Sequence, residues 1–224
     1  MTTTLCLIRH GETDWNMEGR WQGHADVPLN EIGQRQAQLL AQRLASEGQS
    51  FAAMYSSDLA RAYQTAWELG AAVKVAVQLL PSLREIDLGT WSSLTYSEIK
   101  ERYPIEAKLV EEGQDIPRGG AETWAALSHR VVEAVDAIAA QHPGETLALI
   151  THGGCIRAML AHADQQAGDA FVKYPHIGNT SMSIVTIETT GWYVQSCNDM
   201  NHLEATHSPD LISAPPDDAE RPSL

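Results

Sequence analysis

Basic residues are scarce in this chain. Lysine and arginine total 15 against 29 aspartates and glutamates, a net charge of −14. No run of Lys or Arg offsets the imbalance locally. A chain of this charge repels polyanions, which argues against a nucleic-acid partner and against an anionic membrane surface. A small anionic substrate stays open, because a cleft acts through its local field rather than through net charge. Cysteine is almost absent and odd in number: Cys6, Cys155 and Cys197, with no CxxC pair. Neither a disulfide framework nor a zinc knuckle is suggested, and the three residues read as small core side chains in a reducing compartment. No apolar run is long enough to span a bilayer. The first residues lack a basic segment followed by a long apolar stretch, so no signal peptide is expected and the cytoplasm is the default location. No internal repeat is present, and the histidines outside the two discussed below show no HExxH spacing for a metal.

What remains is an ordinary globular composition. The 224 residues are 43% hydrophobic, enough for one large domain with a substantial core. Residues 4–8 form a short apolar run that reads as a buried strand. Residues 30–47 read as a helix, with Ile32, Leu40 and Leu44 near one face and Gln36 out of pattern. Residues 51–55 read as a strand, and Ser56-Ser57-Asp58 offers capping side chains for a helix over 59–69. Residues 73–77 alternate like a strand. The stretch 90–120 is polar and broken by Pro104, Gly113 and Pro117; it reads as a short helix over 96–102 within an irregular lid or insert. Residues 122–141 form a helix with Trp124, Leu127, Val131, Val135 and Ile138 on one face. A strand over 146–151, a helix over 154–162 and strands over 183–188 and 192–196 complete a domain of residues 1–207. Residues 208–224, rich in Pro, Asp and Ser, read as a disordered tail. Strands alternating with helices imply an α/β domain with a largely parallel sheet.

Two segments share one design. Each is an apolar strand that ends in His followed by Gly: Leu7-Ile8-Arg9-His10-Gly11 and Leu149-Ile150-Thr151-His152-Gly153-Gly154. Ligands bind beyond the carboxyl ends of strands in such sheets, where both histidines would project. Gly153 and Gly154 open a helix, so backbone N–H groups and the positive dipole end face the same place. Arg61 adds a cation from the first turn of another helix. Phosphoryl transfer needs positive donors around the equatorial oxygens and a nucleophile in line. Arg9, Arg61 and His152 can supply the donors, and His10 can attack if neutral. The same cations that bind phosphate disfavour protonation of His10. Glu85, in Leu83-Arg84-Glu85-Ile86-Asp87, could protonate the leaving alcohol and later activate water.

The segment Leu7-Ile8-Arg9-His10-Gly11-Glu12-Thr13 resembles the signature of the histidine phosphatase superfamily, which includes the cofactor-dependent phosphoglycerate mutases. Asn16, Gln22-Gly23, residues 29–37, residues 56–62, Arg84-Glu85 and Thr151-His152-Gly153-Gly154 follow in the order expected of that family, up to about Leu203. The resemblance implies a three-layer α/β/α sandwich with a mostly parallel central sheet and a phosphorylated His10. It also implies a phosphate pocket of Arg9, Arg61 and His152, with Glu85 as proton donor and no metal or other cofactor. Asn16, Gln22, Gly23 and Gly153 become expected substrate contacts. Departures bear on activity. Gly119-Gly120-Ala121-Glu122-Thr123 carries an extra Ala against the family pattern, which leaves the place of Glu122 open. The stretch from Glu85 to Glu122 is shorter than in the mutases, which cover the site there. A less covered site admits water. The leading expectation is therefore a metal-independent phosphomonoesterase acting on a small phosphorylated metabolite. A mutase is the alternative, and an inactive interaction protein the third reading. Specificity is expected from residues 90–120 and from Trp21, His24 and Trp91 at the mouth. The oligomeric state, a homodimer included, is left open.

Overall fold

The computed structural model describes residues 1–165 and 170–204. The expected tail and the last residues of the expected 1–207 domain lie outside the described residues. Six strands form one sheet: β1 (Thr3–Arg9), β2 (Ala53–Ser56), β3 (Val77–Leu79), β4 (Thr146–Thr151), β5 (Met182–Glu188) and β6 (Gly191–Asp199). The helices among the described residues are α1 (Asp14–Met17), α2 (Glu31–Ser46), α3 (Ala60–Val73), α4 (Tyr96–Arg102), α5 (Pro104–Glu111), α6 (Trp124–Gln141), α7 (Gly153–Ala163), α8 (Ala170–Lys173) and α9 (Asn201–Glu204).

The strand order is β3-β2-β4-β1-β5-β6. β1, β2, β3 and β4 pair in parallel, while β5 runs antiparallel to both β1 and β6. The side-chain period of two makes the layers. Leu5, Leu7, Leu147 and Leu149 face α6 and α7 in one core. Their alternates Cys6, Ile8, Ala148 and Ile150 face α2 and α3 in the other. The structure is thus the three-layer α/β/α arrangement with a mostly parallel sheet. Strands β2, β4 and β1 are neighbours, so their carboxyl ends deliver Ser57, His152 and His10 to one edge. Among the described residues, no helix is long and apolar enough to cross a membrane.

Three local expectations are corrected. The alternating stretch 73–77 is not a strand. Helix α3 runs on to Val73, Lys74 turns the chain with a left-handed φ of 59°, and the strand begins only at Val77. Alternation over five residues is too short to outweigh a helix already packed on the sheet. The start of α3 is not capped by Ser56, Ser57 or Asp58. Ala60 N–H donates to Asp26 Oδ1 at 2.6 Å instead, and Asp58 is taken by a bidentate pair with Arg84. Residues 90–120 are not largely irregular. Pro104 opens α5 at its first turn rather than ending the structure. Trp21, Leu88, Trp91, Leu94, Tyr96, Ile99, Ala107 and Val110 bury one another in a third, smaller core.

Candidate active site

His10 follows β1 directly and is 3% exposed. Its Nδ1 lies 2.7 Å from the carbonyl oxygen of Gly11. A carbonyl only accepts, so Nδ1 carries the hydrogen and Nε2 keeps its lone pair. Burial, then Arg61, then Arg9 hold the His10 pKa well below the usual imidazole value, so the ring is neutral. The backbone here is fixed by close approach to α2. A methyl on Gly11 would meet Gly33 O at 2.5 Å, and one on Gly33 would meet Glu12 O at 2.0 Å. Gly11 N–H donates to Thr65 Oγ1, and Glu12 N–H to Gln36 Oε1. Gln36, the polar break in the α2 stripe, is therefore a brace for the loop that carries His10.

His152 follows β4, and its ring centroid lies 5.2 Å from that of His10. Its Nε2 is 2.9 Å from Ser57 Oγ, at the end of β2. Ser57 Oγ accepts Leu59 N–H and can donate its own hydrogen to Nε2, the tautomer that puts N–H at Nδ1. Burial, Arg61, His10 and Arg9 all lower the His152 pKa. Arg61 projects from α3, 1% exposed, and donates to Gly23 O at 2.8 Å and Ala25 O at 2.7 Å. Burial lowers its pKa to about 10, with Glu85 acting in the opposite direction, so it remains a cation at neutral pH. Arg9 donates through Nη1 to Ile177 O at 2.5 Å. A methyl on Gly153 would lie 3.6 Å from Arg9 Nε, which puts Arg9 beside the start of α7.

Beside His10, three buried donors have no hydrogen-bond partner: Arg9 Nε, Arg61 Nε and His152 Nδ1. Leaving a buried donor unpaired costs about 1–3 kcal/mol, so such atoms cluster where a ligand supplies the acceptor. Three nitrogens from two cations and one imidazole beside the neutral His10 ring suit a phosphoryl group. Among the described residues, no group of three His, Cys, Asp or Glu side chains could hold a metal ion.

Glu85 reaches α7, where its Oε2 accepts Gly154 N–H at 3.0 Å and Oε1 accepts Ile86 N–H at 2.9 Å. The α7 N-terminus expected to hold an anion is thus engaged by this carboxylate. Asn16 Oδ1 caps α1 by accepting Thr13 N–H and Thr13 Oγ–H. Gly23 serves through its carbonyl, under a φ of 52° that Gly adopts without strain. Two expected mouth residues are not at a mouth. Trp21 stacks on Tyr96 at 5.7 Å, and Trp91 is 1% exposed, both inside the third core. His24 is one-third exposed, with Nε2 2.8 Å from Glu85 O. Glu122 pairs with Arg130 and accepts Asp87 N–H, so it binds the Glu85 loop rather than the pocket.

Sequence reasoning assigned no role to the turn at Asn179 and Thr180. Asn179 Nδ2 donates to His10 O at 3.0 Å, and Thr180 N–H to Arg9 O at 3.1 Å. Thr180 sits at φ 55°, and its Oγ lies 2.9 Å from His202 Nε2. This turn buttresses the end of β1 from the far side of the chain. Its signal in the sequence was that Asn179-Thr180-Ser181 resembles the closing segment of the family's broad phosphatase branch.

The family model described as the histidine phosphatase superfamily, branch 1, matches residues 5–200. The chain belongs to this superfamily. This histidine phosphatase is 38% identical to phosphoglycerate mutase-like protein 4 of Arabidopsis thaliana over 207 residues, covering 90% of the chain and 87% of the relative. It is 34% identical to a metal-independent phosphoserine phosphatase of the same plant, covering 91% and 84%. Among solved structures, the phosphoserine phosphatase of Entamoeba histolytica in complex with 3-phosphoglyceric acid superposes with a TM-score of 0.81 at 29% identity, covering 90% and 99%. The protein is accordingly a phosphatase, a hydrolase of phosphoric monoesters, as the sequence led one to expect.

Proposed function

We propose that this phosphatase works through a phosphohistidine on His10 and takes small, carboxylate-bearing phosphomonoesters such as phosphoserine or phosphoglycerate. The observation that carries the mechanism is the His10 ring: neutral, with Nδ1–H held by Gly11 O and Nε2 free to attack beside Arg9 and Arg61. The Nε2 lone pair forms the N–P bond as the ester P–O bond breaks. Glu85, as the carboxylic acid, gives its proton to the departing alkoxide. Arg9, Arg61 and His152 Nδ1 meet the charge on the phosphoryl oxygens. Water then attacks phosphorus, Glu85 takes its proton, the N–P bond breaks, and inorganic phosphate leaves with His10 neutral again. Gln22, Asn16, Gly23 and Gly153 shape the pocket around this sequence of steps. The substrate class rests on the relatives, which include a metal-independent phosphoserine phosphatase and a phosphoserine phosphatase with bound 3-phosphoglyceric acid.

Phosphorus NMR with EDTA tests the reading on phosphoserine, and on 3-phosphoglycerate with a trace of 2,3-bisphosphoglycerate. Growth of inorganic phosphate, with an acid-labile phosphohistidine trapped on quenching, is expected. Interconversion of 3- and 2-phosphoglycerate with little free phosphate would make the protein a mutase. Undiminished phosphate release by His10→Ala would remove the nucleophile from the scheme.

A further inference from the structure

Arg130 lies on α6, between the core residues Leu127 and Val131 that pin the helix to the sheet. The side chain leaves that stripe and crosses to the loop carrying Glu85. Nη1 donates to Ser82 O at 2.8 Å and to Arg84 O at 3.0 Å, and Nη2 donates to Glu85 O at 3.3 Å. Nε donates to Glu122 Oε1 at 3.0 Å, and Nη2 to Glu122 Oε2 at 2.9 Å. These bonds engage all five N–H donors of a guanidinium in one rigid plane. Glu122 extends the clamp by accepting Asp87 N–H at 3.0 Å. On the other flank of Glu85, Arg84 is tied bidentately to Asp58 in the β2–α3 loop. The segment 82–87 has no strand ladder of its own; these side chains fix its backbone together with Thr151 Oγ–H on Leu83 O at 2.7 Å and His24 Nε2 on Glu85 O at 2.8 Å.

We propose that Arg130, locked by Glu122, is the positioning residue for proton delivery by Glu85. The proposal rests on the reading of Glu85 as the general acid. A carboxylic acid must stand within hydrogen-bond reach of the leaving oxygen, and a loop shifted by an ångström loses that reach. The clamp holds the Glu85 carbonyl directly, one backbone step from the side chain that reaches Gly154 N–H. Arg130 itself touches no reacting atom in this scheme.

The test separates proton delivery from general damage by varying the leaving group. The alcohol of phosphoserine leaves poorly without a proton, whereas p-nitrophenolate leaves without one. In a mechanism through a covalent phosphoenzyme, kcat/KM covers only the steps up to release of the alcohol. Arg130→Gln is expected to lower kcat/KM for phosphoserine about tenfold or more while lowering that for p-nitrophenyl phosphate far less. Arg130→Lys keeps a cation for Glu122 but not the fork; it should show the same selectivity with a smaller loss, and it serves if the Gln variant does not fold. Equal losses on both esters, or no loss on either, would overturn the proposal. Glu85→Gln run in parallel keeps the two claims apart. Selectivity in Glu85→Gln without selectivity in the Arg130 variants removes only the role of Arg130. No selectivity in Glu85→Gln removes the acid role of Glu85 and the proposal with it.

Discussion

Mild acid should destabilise the ligand-free protein by protonating buried imidazoles. His10, His152 and His202 all have pKa values lowered by burial, His202 to about 4. The unfolded chain therefore binds more protons than the folded one below pH 6.5, and stability rises with pH across that window. The contribution is intact above about pH 6.5 and is lost as pH falls, until the folded value is passed. One pKa unit is about 1.4 kcal/mol, so His202 alone removes about 2 kcal/mol between pH 6.5 and 5. His10 and His152 act in the same direction. Against a total stability of about 5–15 kcal/mol, that loss is large. The lowered carboxyls of Asp58, Asp164 and Asp199 lose their stabilising effect only below about pH 4, outside this window. Urea unfolding at pH 8, 7, 6 and 5 reads the slope directly. His202→Gln, which can still bond Thr180, should lose about 2 kcal/mol less than the wild type between pH 7 and 5. Equal stability at pH 7 and 5, or parallel curves for the wild type and His202→Gln, would refute the reasoning.

Arg61→Lys should lower kcat/KM about a hundredfold, because the guanidinium bonds Ala25 O and Gly23 O through Nη1 and Nη2 and keeps Nε–H on a separate atom, whereas an ammonium radiates its donors from one point and cannot reach all three places; steady-state kinetics on phosphoserine check this. Gly33→Ala should cost about 2 kcal/mol or more by urea unfolding, since its methyl would meet Glu12 O at 2.0 Å and Glu12 N at 2.6 Å, both backbone atoms. Dialysis against EDTA should leave phosphate release unchanged; a loss restored by a divalent cation would contradict the histidine mechanism.

Much of the fold was legible because its signals are local. The apolar runs at residues 4–8 and 146–151 and the stripe from Trp124 to Ile138 each state their own period. The misreadings arose where local signals competed. Pro104 is equally a helix stop and a first-turn residue, and only the core formed by Trp91, Ile99 and Val110 selects the second role. Trp21 and Trp91 looked like mouth residues because aromatic side chains suit both binding sites and cores. The β3 start shifted to Val77 because α3 had already claimed Val73.

The site divides along the same line. Sequence by itself determined the chemical inventory. Two His-Gly strand ends, arginines at positions 9 and 61 and a carboxylate at 85, in the order that resembles the family's, pointed to the phosphate pocket and histidine nucleophile proposed above, because each motif carries its group within a few residues. Tertiary structure alone decided how those groups are held. It decided that Asp26 caps α3 and that Asn179 and Thr180 buttress the His10 carbonyl and its neighbour. It also decided that Arg130 and Glu122 clamp the Glu85 loop. These contacts join residues far apart in the chain. Periodicity fixes which face a side chain occupies, but only packing fixes which distant atom it meets.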